Sequence, residues 1–169
     1  MSIPQRIKDP GLNDYLEVMT RAVFQAGMRW ALIESKWANF RRVFYDFDVH
    51  RVSAFKDSDI DRAATDEGII RSLKKVQGTV ENARILLELD REHGSIHNYF
   101  RSFDNYELLA KDIRNRFAFM GEMSVYYFLF RVGEQALLPP FDSWITTIPG
   151  EHPRMREMIE QAAAEDAAL

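Results

Sequence analysis

From Leu16 to Val132 the apolar side chains recur three and four positions apart, and no stretch sustains the apolar–polar alternation of a half-buried strand. That pattern restricts the chain to an all-α architecture. Asn13 to Ala26 carries Leu16, Met19, Val23 and Phe24 at helical spacing and closes at Gly27, a natural left-handed cap. Trp30 to Phe47 repeats the period through Leu32, Ile33, Trp37, Phe40, Val43 and Phe44, which predicts one amphipathic helix with Arg41 and Arg42 outward. Asp48 can cap a short helix reaching Ala54, and Asp57 or Ser58 another that ends before Gly68. Leu73, Val76, Val80, Ala83 and Leu87 predict a long helix from Arg71 to about His93, stopped by Gly94. Two further helices are expected over Ser95 to Phe103 and Tyr106 to Phe117. The aromatic run after Gly121 predicts a buried one through Val125, Tyr126, Phe128, Leu129 and Val132. Pro139 and Pro140 interrupt helicity, and a charged, alanine-rich helix over about 151–168 closes the chain.

A chain of 169 residues that is 46% hydrophobic can bury one core of its own, so a single domain over 1–169 is expected. No run approaches the roughly 18 apolar residues of a membrane helix, and Met1 to Pro10 has no secretory apolar stretch, so a cytoplasmic protein with no membrane partner is expected. The absence of cysteine excludes disulfides, thiol catalysis and thiolate-held metals. A net charge of −4 argues against nucleic-acid binding through a uniformly basic surface. Basic residues do cluster locally, at Arg41–Arg42, at Arg71, Lys74 and Lys75, and at Lys111, Arg114 and Arg116. Solvated helix faces would account for such clusters equally well.

Two places repeat one arrangement, in which a helix ends, a glycine-containing turn with apolar flanks follows, and a second helix begins. They are Thr65-Asp-Glu-Gly-Ile-Ile-Arg71 and Arg116-Phe-Ala-Phe-Met-Gly-Glu-Met-Ser124. Such helix–hairpin–helix turns let the backbone approach a phosphate while the N–H groups of the next helix point at the anion. On spacing alone, each is equally a helix that simply ends in glycine.

The segments Phe24-Gln-Ala-Gly-Met-Arg-Trp30, Phe40-Arg-Arg-Val-Phe-Tyr-Asp-Phe-Asp48, Asp66-Glu-Gly-Ile-Ile-Arg71 with Lys75, Glu81-Asn-Ala83, and Arg116-Phe-Ala-Phe-Met-Gly121 with Tyr126 resemble the type I 3-methyladenine DNA glycosylases in order and spacing. The resemblance covers roughly 15–133. It implies a helix–hairpin–helix glycosylase fold acting on double-stranded DNA as a monomer at the nucleoid. Such an enzyme flips an alkylated purine such as 3-methyladenine out of the stack and hydrolyses its N-glycosidic bond. It also implies a base pocket of Trp30, Phe24, Gln25, Tyr126 and Tyr127, with Gly27 and Met28 filling the vacated stack. Contacts to the DNA backbone would come from Gly68, Ile69, Ile70, Arg71, Lys75, Met120, Gly121 and Ser124. A methylated adenine is cationic in DNA, so aromatic faces would attract it and it would leave readily. An ordinary core tryptophan is the competing account of Trp30.

The sequence departs from that family in three ways. Its N-terminal Tyr-His-Asp-x-x-Trp-Gly element has no counterpart in Met1 to Tyr15, and its metal cysteines are absent. With only His50, His93, His97 and His152 to draw on, neither zinc nor any other cofactor is expected. Asp57-Ser-Asp-Ile-Asp61 lacks the glycine and glutamate of a calcium loop and reads as helix capping. Ala22 stands eight residues before Trp30, where the family presents a glutamate to the base. Asp142, 21 residues after Gly121, has the separation of the catalytic aspartate in the endonuclease-III-like branch and is the candidate catalytic group. Glu17, Gln25 and Glu34 also lie near the motif. Met123 stands where bifunctional lyases carry lysine, so a monofunctional enzyme is expected. Two alternatives remain: a non-catalytic protein on the same scaffold that recognises damaged or bent DNA, and a helical protein-interaction module using Met155, Met158 and Ile159 of the last helix.

Overall fold

The computed structural model describes residues 7, 9–134 and 136–167, without the side chains of 158, 161–163 and 165–167, so the expectation for Met158 lies outside it. Among the described residues the chain is helical with no strand. Eleven helices are described: α1 (Leu12–Gln25), α2 (Trp30–Ser35), α3 (Trp37–Val43), α4 (Val49–Ser53), α5 (Asp57–Ala64), α6 (Leu73–His93), α7 (Ile96–Phe100), α8 (Tyr106–Arg116), α9 (Glu122–Arg131), α10 (Phe141–Ile145) and α11 (Pro153–Ala167).

The capping chemistry explains most of these boundaries. Asp48 accepts the backbone N–H groups of His50 and Arg51 at the head of α4, Ser72 that of Lys75 at α6, Ser95 that of Asn98 at α7, and Asn105 that of Leu108 at α8. Before α5 the cap is Lys56, one residue earlier than Asp57, because Asp59 reaches back to the Lys56 N–H at 2.9 Å. Gly94 adopts φ +79° after α6 and Gly27 φ +74° after α1, the left-handed region that glycine enters without a Cβ penalty.

The single helix expected from Trp30 to Phe47 is broken. The backbone changes at Lys36 (φ −102°, ψ 0°), and Tyr45, Asp46 and Phe47 form a short turn with φ between 51° and 56°. The left-handed residues carry a steric cost, which is met by packing: Phe47 stacks on Trp37 and Phe44 with ring centroids 5.3 and 5.7 Å apart, and Phe44 stacks on Phe55. The sequence period also hid α10, whose five residues lie between Pro140 and Thr146.

The 21-residue α6 is the central strut, packing against α1, α4, α5 and α7, while α9 packs against α1 and α8. Tyr15, Leu16, Met19, Val23 and Phe24 of α1, Val76, Val80, Ala83 and Leu86 of α6, and Val125, Phe128 and Leu129 of α9 form one continuous core. Its arrangement leaves the C-terminal end of α1, the first turns of α9 and one face of α11 around a common space.

Candidate functional site

That space is a cavity of about 240 Å³. Ala22, Gln25 and Ala26 line it from α1 and its end, Met28 and Trp30 from the following turn, Met123, Ser124 and Tyr127 from α9, and Arg154, Met155 and Glu157 from α11. The helical period decides which neighbours enter. Ala22, Gln25 and Ala26 stand at i, i+3 and i+4 on one face of α1, and Met123 and Tyr127 stand four apart on α9. Phe24 and Tyr126, each one residue away from a lining position, turn by about 100° and leave the cavity.

Phe24 is fully buried and meets Phe40 edge to face at 4.8 Å. Tyr126 donates its hydroxyl to the Pro139 carbonyl at 2.7 Å and stacks on Trp144 at 3.9 Å. Both are core residues, whereas Gln25, Met28, Trp30, Ser124 and Tyr127 do line the space. Trp30 and Tyr127 form its aromatic corner, edge to face at 5.8 Å with planes 81° apart. Burial pushes the Tyr127 phenol up, against the opposing effect of the Arg131 and Arg21 cations, so it stays protonated. Gln25 Nε2 is buried and meets no hydrogen-bond partner among the described residues. An unsatisfied buried donor costs about 1–3 kcal/mol, which a polar ligand would relieve.

The candidate acids divide sharply. Asp142 does not line the cavity; its side chain is 83% exposed at the head of α10 and paired with Arg156 of α11, which also meets Glu160. Glu17 accepts from Trp37 Nε1 at 2.9 Å and Arg41 Nε at 2.7 Å, and Glu34 pairs with Arg21, so neither enters the cavity. The carboxylate among the described lining residues is Glu157, which the sequence did not single out. Arg154 and Glu157 share a face of α11 by their spacing, but periodicity could not say what that face covers.

The second glycine turn leads into α9 beside this site, and the first precedes α6, whose Lys75 reaches Ala26 of the cavity wall. At the first, Asp66 Oδ1 accepts the Gly68 N–H at 2.8 Å while both its oxygens receive Arg42, and the Arg42 hydrogen bond holds the Asp66 carboxyl below its ordinary range. Ile69 is buried, Gly68 and Ile70 are half-buried and Arg71 is exposed. Lys75 Nζ donates to the Ala26 carbonyl at 3.3 Å, and burial lowers its ammonium pKa. This ties the head of α6 to the Gly27 turn. At the second turn, the Asn82 amide accepts from the Ala118 N–H at 2.7 Å and donates to the Ala118 carbonyl at 3.2 Å. Met120 is buried there and Gly121 is exposed as the cap of α9. A Cβ on Gly78 would lie 2.8 Å from the Phe119 ring and 3.1 Å from Ala118 Cβ, so glycine lets the turn lie against α6.

The histidines are dispersed. His97 Nδ1 lies 2.8 Å from the buried Glu134, His93 meets the Tyr99 ring, His152 contacts the Pro149 carbonyl and His50 is exposed. No group of three His, Asp or Glu among the described residues is placed to hold a metal ion. No helix among them is long and apolar enough to cross a membrane.

Comparison with known proteins gives this geometry a lineage. DNA-3-methyladenine glycosylase 1 of Escherichia coli (strain K12) is 34% identical over 83 residues, 49% of this chain, and the match spans 44% of that relative's length. DNA-3-methyladenine glycosylase of Haemophilus influenzae (strain ATCC 51907 / DSM 11121 / KW20 / Rd) is 24% identical over 130 residues, 64% of this chain and 70% of its own. Among solved structures, a crystal structure of 3-methyladenine DNA glycosylase I superimposes with a TM-score of 0.64 at 25% identity, covering 75% of this chain and 81% of that one. The profile of the methyladenine glycosylase family matches residues 10–116, more than half of the sequence, and the chain belongs to that family.

Proposed function

We propose that this protein is a monofunctional DNA glycosylase that removes alkylated purines such as 3-methyladenine from duplex DNA. The observation that carries the reading is the cavity itself. It joins an aromatic corner, Trp30 against Tyr127, to an unsatisfied buried amide at Gln25. Gly27 and Met28 stand at its edge, where a side chain can occupy the gap a flipped base leaves. Gly121 opens α9, whose Ser124 lies in the wall, and the backbone N–H groups at that turn, together with those following Gly68, would take phosphates. The purine's charge makes the chemistry undemanding. As the C1′–N bond breaks, its electron pair moves onto the ring and neutralises the cation; water adds its oxygen to C1′ and gives up a proton. Trp30 favours the charged base by a cation–π contact of about 0.5–2 kcal/mol. The protein acts as a monomer, in the cytoplasm and at the nucleoid.

The deciding experiment incubates the purified protein with duplex DNA treated with a methylating agent and separates the released bases by chromatography. Free 3-methyladenine without strand cleavage is the expected result. The second reading, a non-catalytic binder of damaged DNA, is favoured by Ala22 and by the outward, ion-paired Asp142. It expects salt-sensitive binding of the same DNA with no released base.

A further inference from the structure

We propose that Glu157, brought into the cavity by α11, supplies the negative charge that selects a cationic purine over a neutral one. The inference rests on the reading that the cavity receives a flipped base. It starts from the polarity of the walls: Ala22 contributes only a methyl group, Gln25 and Ser124 are neutral, and Glu157 is the acid among the described lining residues. Its helix is anchored. Ile159 is buried, Met155 packs against the core, and Arg156 bridges to Asp142 of α10, so the face carrying residues 154 and 157 is held over the space. Arg156 is occupied by Asp142 and Glu160, whereas Glu157 takes part in no ion pair among the described residues.

A carboxylate facing a cationic ring across a partly solvated gap is worth about a tenfold preference over the uncharged ring. Arg154, one turn earlier on α11, lines the same wall. It does not cancel the preference, because a flipped nucleotide carries a phosphate of its own that the guanidinium can meet. The charge that Glu157 recognises disappears as the glycosidic bond breaks, so its stabilisation belongs to the bound ground state and lowers KM and kcat together, leaving kcat/KM nearly unchanged.

The test uses two probes, the permanently cationic 3,9-dimethyladeninium and the neutral 9-methyladenine, titrated into the whole protein while tryptophan fluorescence is followed. The wild type is expected to bind the cation about tenfold more tightly. Glu157→Gln, an exposed change whose folding is checked by circular dichroism, should erase that ratio, and Ala22→Glu in the same background should restore it. Arg154→Gln should enlarge it, because these probes bring no phosphate to engage the guanidinium. If base release is found, Glu157→Gln should raise KM and kcat together, each by about tenfold, with kcat/KM within about threefold. A ratio unchanged by Glu157→Gln, a ratio lost in Arg154→Gln instead, or no preference in the wild type overturns the proposal. Absence of base release alongside a Glu157-dependent ratio removes the glycosylase reading and leaves the cation site standing.

Discussion

Trp30 and Tyr127 have very different surroundings although both belong to one aromatic corner: Tyr127 is 3% exposed, while Trp30 is half-buried and open on its cavity side. Replacing Trp30 by alanine is therefore expected to lower the affinity for a cationic purine by up to about thirtyfold, with the thermal midpoint little changed. A large loss of thermal stability with unaltered affinity would make Trp30 a core residue instead. Asp142 leads to the opposite expectation. With its side chain solvent-facing and paired to Arg156, Asp142→Asn should leave base release within about twofold of wild type, measured in single turnover. At this scale the sequence was partly legible. The motif around Trp30 lies at the cavity where α1 gives way to α2, but Phe24 and Tyr126, expected in the pocket from the resemblance, do not line it. The 100° step between neighbours on a helix turns them into the core, and it admits Ala22 and Met123, which carry no chemical signal.

Among the elements, the second glycine turn depends on one side chain of α6. Asn82 is 1% exposed and pairs with Ala118 as one peptide group pairs with another. Asn82→Ala leaves a backbone N–H and a carbonyl without partners, which should cost about 3 kcal/mol and lower the thermal midpoint by about 6–12 °C. Affinity for duplex DNA, measured below that midpoint, should fall with it if the turn carries phosphate contacts. The first turn depends on charge instead. The folded-state pKa of Asp66 is depressed, so its contribution to stability is present above the unfolded carboxylate range and is lost as pH falls through the lowered value. Asp66→Asn should accordingly be less stable than wild type at neutral pH and converge with it in acid, in melts recorded across that window. The long helices were legible from their period, and Gly94 at the end of α6 from its residue type, whereas the Ser72 cap at its head was not singled out. The left-handed turn after α3 was not legible, because the stacking of Phe47 on Trp37 and Phe44 that supports it is tertiary.

For the molecule as a whole, a net charge of −4 must be reconciled with the duplex DNA proposed as its substrate. The fold does this by engaging many of its cations internally: Arg21 with Glu34, Arg41 with Glu17, Arg42 with Asp66, Arg116 with Asp112 and Arg156 with Asp142 all occupy salt bridges. The surface left for DNA is then a small set of backbone N–H groups and exposed cations such as Arg71 and Lys74, not a basic face. Backbone N–H groups hold a phosphate without releasing the counterions that a lysine or arginine would displace. The salt dependence of duplex binding should therefore be shallow. With about three phosphates neutralised, the logarithm of the association constant should fall against the logarithm of salt concentration with a slope near −3. Fluorescence anisotropy with a labelled duplex across a salt series measures it. Arg71→Gln should reduce the slope by about one and weaken binding evenly across sequences. A slope of −6 or steeper would require a basic surface that this arrangement of ion pairs does not provide, and a slope near zero would leave Arg71 and Lys74 without phosphate contacts.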